Sequence, residues 1–277
     1  MIEPQKRNLI TRLAVAAVSI PVIIIITKCG GLPFLVFTSL AAFLGMLEFR
    51  KIAISNDAKI PEYFLAVLIV VTLWLVYNNL WEILAFVLLA GFSIIVSLQI
   101  FAPVPESGKG LAFSALGFLY LIQFTFWILI RQLPLASSQD YSLGGQWMIS
   151  LFLIVWSCDT AAYFGGRSVG RYKLAPTISP NKTREGAVFG LVGAVLAAVI
   201  IRLFIFKSLS FLDLAAISIL IGVIGQIGDL VESLLKRSGQ LKDTSGLIPG
   251  HGGVLDRFDS LLFVSPWVYF YLRLFVF

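Results

Sequence analysis

Long stretches without a polar face constrain this chain more than any other feature. Leu65 to Val76 and Ala187 to Ile201 are almost wholly apolar, so no side of a helix or strand formed there could meet water. Nine apolar segments of this kind occur, at roughly 9–27, 31–47, 62–78, 80–101, 110–130, 146–164, 186–206, 211–231 and 258–277. Each approaches the ~20 residues that a helix needs to cross a bilayer core. The runs are continuous rather than alternating, which excludes barrel strands and leaves helices as the spanning element. Composition agrees: 58% of residues are apolar and 13% charged, about half the roughly 25% charge of soluble proteins, and mean hydropathy is +0.94. The expected fold is therefore an all-α polytopic bundle of about nine transmembrane helices. Residues 1–140 should form an amino-terminal set without motifs, and residues 141–277 a carboxy-terminal set carrying the chemistry. The first apolar run follows Lys6, Arg7 and Arg12 but has no small-residue cleavage site, so it reads as a retained helix.

The net charge of +6 gains meaning from its placement. Sixteen Lys and Arg residues fall in the amino-terminal segment and the connections on its side, against five on the other: Lys28, Arg131, Arg202, Lys207 and Arg273. This bias places the amino terminus, and the polar stretch described below, in the cytoplasm of a multi-pass inner-membrane protein. Glu48, Glu62 and Glu82 lie near segment ends, where solvation at headgroup level accounts for them. Cys29 and Cys158 are far apart and offer neither a disulfide framework nor metal-ligand spacing.

The ionisable groups concentrate late in the chain. Asp159 lies deep in the sixth segment, with Arg167 after it, and a charge at that depth should face the bundle interior or a cavity. In Ser179-Pro180-Asn181-Lys182-Thr183-Arg184-Glu185-Gly186, Ser179-Pro180 should turn the chain and Thr183 should open the next helix. The freed amides of that helix start, with Lys182 beside them, suit a phosphate. Segment eight ends in Asp229, Glu232, Ser233 and Lys236, spaced i, i+3, i+4 and i+7, one polar stripe on an apolar rod. Then come Arg237, Lys242, Asp243, the turn around His251-Gly252-Gly253, and Asp256, Arg257 and Asp259 at the start of segment nine. Glycines in that turn permit positive φ and let backbone amides reach an anion.

Asp229, Asp256 and Asp259 are hard oxygen donors suited to Mg²⁺, which takes one or two carboxylates together with substrate phosphates. Magnesium with a basic cradle serves phosphoryl and nucleotidyl transfer. The absence of a thiolate–histidine set argues against structural zinc, and the lack of a Gly-Lys-Ser/Thr loop excludes a P-loop enzyme.

The pattern Ser233-x-x-Lys236-Arg237, Lys242-Asp243, His251-Gly252-Gly253, Asp256-Arg257-x-Asp259 closely resembles the signature of phosphatidate cytidylyltransferases, also called CDP-diacylglycerol synthases. Asp159 with Ala162-Tyr163 and Arg167, and Ser179-Pro180-x-Lys182-Thr183-x-Glu185-Gly186, are similar to two further blocks of that family. The resemblance covers about residues 155 to 260. It implies that a phosphatidic-acid oxygen attacks the α-phosphorus of CTP, giving CDP-diacylglycerol and pyrophosphate, with Mg²⁺ and room for a K⁺ ion beside it. A phosphate monoester is already anionic at pH 7, so no general base is required. By this resemblance Asp229, Asp256, Asp259, Lys236 and Arg237 are the catalytic candidates, the three aspartates being the metal ligands. Asp159, Arg167, Ser179, Lys182, Thr183, Glu185, Ser233, Lys242, His251, Gly252, Gly253 and Arg257 are the substrate-binding candidates. His251 need not be a base; contacting phosphate or shaping the turn are the other roles open to it. The expected partners are CTP, phosphatidic acid and membrane lipid, with no nucleic acid, and a homodimer is allowed. Two alternatives stay open: a CTP-dependent polyprenol or lipid kinase of related architecture, and a secondary transporter using Asp159 and Asp229 as ion sites. CDP-alcohol phosphotransferases are excluded, because their Asp-Gly-x-x-Ala-Arg motif is absent.

Overall fold

The computed structural model describes residues 4–101, 106–133, 142–207, 209–247 and 252–277. All nine apolar segments lie in helices. They are α1 (Pro4–Cys29), α2 (Gly31–Ser55), α3 (Glu62–Tyr77), α4 (Trp81–Ile100), α5 (Glu106–Leu121), α6 (Phe124–Gln132), α7 (Ser142–Val169), α8 (Arg184–Ile200), α9 (Phe211–Leu220), α10 (Gln226–Ser238) and α11 (Leu255–Tyr271). Six helical stretches among the described residues are long and apolar enough to cross a membrane: Gly31–Ser55, Trp81–Ile100, Gly108–Gln132, Ser142–Val169, Arg184–Ile205 and Phe211–Ser238. Two shorter apolar helices, Ala14–Cys29 and Glu62–Tyr77, accompany them.

Several of these rods are composite. A π turn at Ile221–Gly225 joins α9 to α10, so the eighth segment continues as helix to Ser238, past the expected end near residue 231. An extra residue in a helical turn re-aims the side chains that follow, and here those are the polar stripe of α10. Similar π turns extend α8 over Ile201–Ile205 and α11 over Leu272–Val276.

The chain forms two compact units that are interleaved in sequence. The first comprises Met1–Leu129 and Leu235–Phe258; the second comprises Ile130–Leu234 and Asp259–Phe277. An aromatic knot holds the first unit: Trp127 meets Phe124 at 4.7 Å and Phe258 at 5.1 Å, both edge to face, an arrangement that suits the ring quadrupoles. Phe34, Met46, Phe49, Leu65, Ile69 and Leu121 of the same unit are fully or almost fully buried. Tight glycines let the helices approach; a Cβ at Gly117 would strike the ring of Phe49.

In the second unit α7 and α8 pack along small residues. A Cβ at Gly186 would meet Ala162 O at 2.9 Å and Gly166 Cα at 3.0 Å, and one at Gly193 would meet Ser157 O at 3.1 Å. Such backbone proximity is how helices associate where lipid removes the hydrophobic drive. Elsewhere apolar side chains face outward, as at Phe86, Leu89 and Phe92 of α4, which suits a surface solvated by lipid.

Among the described residues the one sheet is an antiparallel hairpin, β1 (Lys173–Ala175) with β2 (Ser179–Thr183), paired Lys173 to Thr183 and Ala175 to Ser179. The expectation that Ser179-Pro180 turns the chain is therefore corrected. The turn is Ala175-Pro176-Thr177-Ile178, closed by Ile178 N donating to Ala175 O at 3.2 Å. Pro176 stands at its second position, where a fixed φ is favourable. Pro180 lies within β2, a position proline tolerates in an edge strand.

Candidate active site

The hairpin delivers Lys182 to the start of α8. Thr183 caps that helix as expected, its Oγ1 accepting from Gly186 N at 3.1 Å, which satisfies one of the orphaned first-turn amides. Glu185 sits in the first turn, where a carboxylate complements the helix dipole. It also accepts from Arg171 N at 3.1 Å and Tyr172 N at 3.2 Å. Glu185 thus ties the hairpin's entry to α8, a fixing role not visible in the sequence. Ser179 is half-buried in β2, and Arg167 is exposed on α7 with its Nη1 donating to Tyr163 Oη at 3.1 Å.

Lys182 Nζ pairs with Asp229 Oδ2 of α10 at 2.5 Å, with side-chain exposures of 28% and 32%. Asp229 is joined by Glu232, one turn along α10, and by Asp259 of α11. One ligand oxygen from each lies within 4.8 Å of the others. Gly228 permits this approach: a Cβ there would strike the side chain of Phe263 and come within 3.1 Å of Asp259 O. Glu232 is 1% and Asp259 9% exposed, so two of the three carboxylates are withdrawn from the surface while Asp229 stays partly open. Asp259 Oδ1 accepts from its neighbour's amide, Ser260 N, at 2.6 Å. Asp159, on the exposed side of α7, is near enough to act electrostatically on Asp259. Ser233 Oγ reaches Asp229 Oδ1 at 3.5 Å.

An all-oxygen donor set of three carboxylates fits a hard divalent cation such as Mg²⁺. Glu232 was legible as part of the α10 stripe, three residues after Asp229, but nothing in the sequence singled it out as a ligand.

Asp256 is engaged differently, within the first unit. Its Oδ1 accepts from Lys236 Nζ at 2.6 Å, and its Oδ2 from Gly253 N at 2.7 Å, Thr244 Oγ1 at 2.9 Å and Thr244 N at 3.2 Å. The geometry brings Asp229 and Asp259 together with Glu232, while Asp256 organises the connection between α10 and α11. Gly252 adopts φ +80°, which glycine alone reaches without strain, and a Cβ there would meet Asp256 Oδ2 at 2.7 Å. Arg237 Nη1 donates to Leu241 O at 3.0 Å and so holds the helix end. Lys242 and Arg257 are exposed. His251 lies outside the described residues.

The sequence pattern of the cytidylyltransferase family matches residues 10–275. The chain belongs to the cytidylyltransferase family. A phosphatidate cytidylyltransferase of Bacillus subtilis (strain 168) is 50% identical over 123 residues, covering 44% of this chain and 46% of that protein. One from Staphylococcus saprophyticus is 32% identical over 264 residues, covering 92% and 95%. One from Staphylococcus haemolyticus is 30% identical with the same coverage. For a cytidylyltransferase the two polar clusters are of the right kind: anionic oxygens for a cation, and Lys and Arg side chains for phosphates.

Proposed function

We propose that this cytidylyltransferase uses CTP and phosphatidic acid to make CDP-diacylglycerol and pyrophosphate, with Mg²⁺ held by Asp229, Glu232 and Asp259. One observation carries the chemistry: three carboxylates with ligand oxygens within 4.8 Å of one another, one of them paired to Lys182. A bound Mg²⁺ would supply charge neutralisation for two anionic reactants that must meet. A phosphatidate oxygen forms a new bond to the α-phosphorus of CTP as the bond from that phosphorus to the bridging oxygen of pyrophosphate breaks. Lys182 and Arg167 bind phosphate oxygens, and the α8 start offers its remaining first-turn amides to the same charge. Holding both reactants in register converts a bimolecular encounter between anions into an oriented one. The sixteen-to-five distribution of basic residues supports a site on the cytoplasmic face, where a soluble nucleotide and a lipid headgroup can both arrive.

Radiolabelled CTP tests the reaction. Purified protein given phosphatidic acid and Mg²⁺ should move label from the α-phosphorus into lipid, and label from the γ-phosphorus into pyrophosphate. Entry of γ-label into lipid would overturn this reading in favour of a lipid kinase.

Lys182→Ala removes one charge-assisted contact. It should lower kcat/KM for CTP by roughly 10- to 150-fold, corresponding to about 1.5–3 kcal/mol. Steady-state kinetics within twofold of the unsubstituted protein would remove Lys182 from substrate binding.

A further inference from the structure

We infer that Glu48, on α2, is a positioning residue for the transfer reaction, an inference that rests on the cytidylyltransfer reading. Headgroup solvation, expected for the acidic residues at segment ends, does not describe Glu48. It is 3% exposed, whereas Glu62 pairs with Arg50 at 2.9 Å and Glu82 is exposed.

Both oxygens of Glu48 are fully employed. Oε1 accepts from Ser245 Oγ at 2.5 Å and Val254 N at 3.0 Å; Oε2 accepts from Thr244 Oγ1 at 3.2 Å and Leu255 N at 2.9 Å. Among the described residues no Lys or Arg pairs with it. Four donors meet its two oxygens, so the carboxyl group is buried with its hydrogen-bonding capacity satisfied. Two of the donors are amides at the start of α11, so a side chain from the amino-terminal bundle caps a helix more than 200 residues later. Gly253 has no room for a side chain: a Cβ there would clash with Thr244 Oγ1 and with both oxygens of Glu48.

The consequence runs through Thr244. Its hydroxyl lies 3.2 Å from Glu48 Oε2 and 2.9 Å from Asp256 Oδ2, and one proton serves two acceptors. Asp256 in turn holds Lys236 at 2.6 Å. Glu48, Thr244, Asp256 and Lys236 form one chain of contacts within the first unit. Moving Glu48 shifts the segment that places Asp256 and Lys236, although Glu48 itself need touch no substrate.

Glu48→Gln keeps the shape but replaces one acceptor oxygen with a donor, leaving two of the four donors without a partner. In detergent-solubilised full-length protein, kcat should fall about 10- to 100-fold, as for groups that orient a ligand. KM for CTP should change less than threefold, and the Mg²⁺ concentration for half-maximal rate should stay put. Amide hydrogen exchange should rise at residues 253–256 and not along α7 or α8. Thr244→Val, which cuts the hydroxyl bridge but spares the backbone contacts, decides the matter if Glu48→Gln does not fold. It should lower kcat with the same unchanged Mg²⁺ requirement. Where both fold, the double variant should lose less than the product of the two single losses.

A kcat within twofold of wild type for Glu48→Gln, or for Thr244→Val where that variant decides, would overturn the inference. So would strictly multiplicative losses, or faster exchange at 253–256 with undiminished turnover. Failure of the unsubstituted protein to move α-label into lipid would instead overturn the reaction itself.

Discussion

Asp259→Asn is expected to cut turnover roughly 100- to 1,000-fold while the protein stays folded in detergent. Asn matches Asp in size, so packing around a residue that is 9% exposed changes little. What is lost is one negative oxygen from a set of three carboxylates whose ligand atoms lie within 4.8 Å of one another. The measurement that isolates this is a Mg²⁺ titration of rate, because loss of a ligand should raise the concentration needed for half-maximal activity. Asp229→Asn should do the same, with a smaller rise because its partner Lys182 is then free to serve substrate alone. Glu232→Gln should also raise the requirement, which distinguishes the geometry from the sequence expectation of an all-aspartate site. Asp243→Asn is the control: Asp243 is exposed and should leave both rate and Mg²⁺ dependence near wild type. Normal turnover and an unshifted Mg²⁺ midpoint in both Asp229→Asn and Asp259→Asn would dismiss the metal site.

The features legible in the sequence are those carried by local period or local chemistry. Apolar runs reported the bundle because a helix without a polar face has only lipid or other helices to meet. Thr183 reported the start of α8, since a cap and its amide sit three residues apart. The α10 stripe was visible for the same reason. Contacts between distant segments leave no such trace. Glu48 and Leu255 are 207 positions apart, and no periodicity links an acid near the end of α2 to a loop before α11. The hairpin was missed because β1 has three residues and β2 contains a proline, both against strand signals. Asp256 and Asp259, three apart, looked like equivalent donors, yet their environments differ. Asp256 meets Lys236 and loop amides, and Asp259 meets two other carboxylates.

That difference gives the second large effect. The side chains of Lys236 and Asp256 are 11% and 6% exposed and 2.6 Å apart. Pairing two buried charges adds little net stability, but removing one partner strands the other, at about 3–5 kcal/mol. Lys236→Met should therefore lower the thermal midpoint by several degrees as well as lowering activity, because the buried Asp256 loses its cationic partner. Asp256→Asn should be milder for stability, since the amide oxygen still accepts from Gly253 N or Thr244. Its turnover should fall about 10- to 100-fold, the range for groups that orient others, with the Mg²⁺ midpoint unmoved. The double variant Lys236→Met, Asp256→Asn discriminates further. Removing both charges should recover much of the thermal stability lost in Lys236→Met; activity that stays lost would show that Lys236 serves the reaction and not only charge balance. Recovery of both would reduce the pair to a structural element. A Mg²⁺ midpoint that rises in Asp256→Asn as it does in Asp259→Asn would return Asp256 to the ligand set.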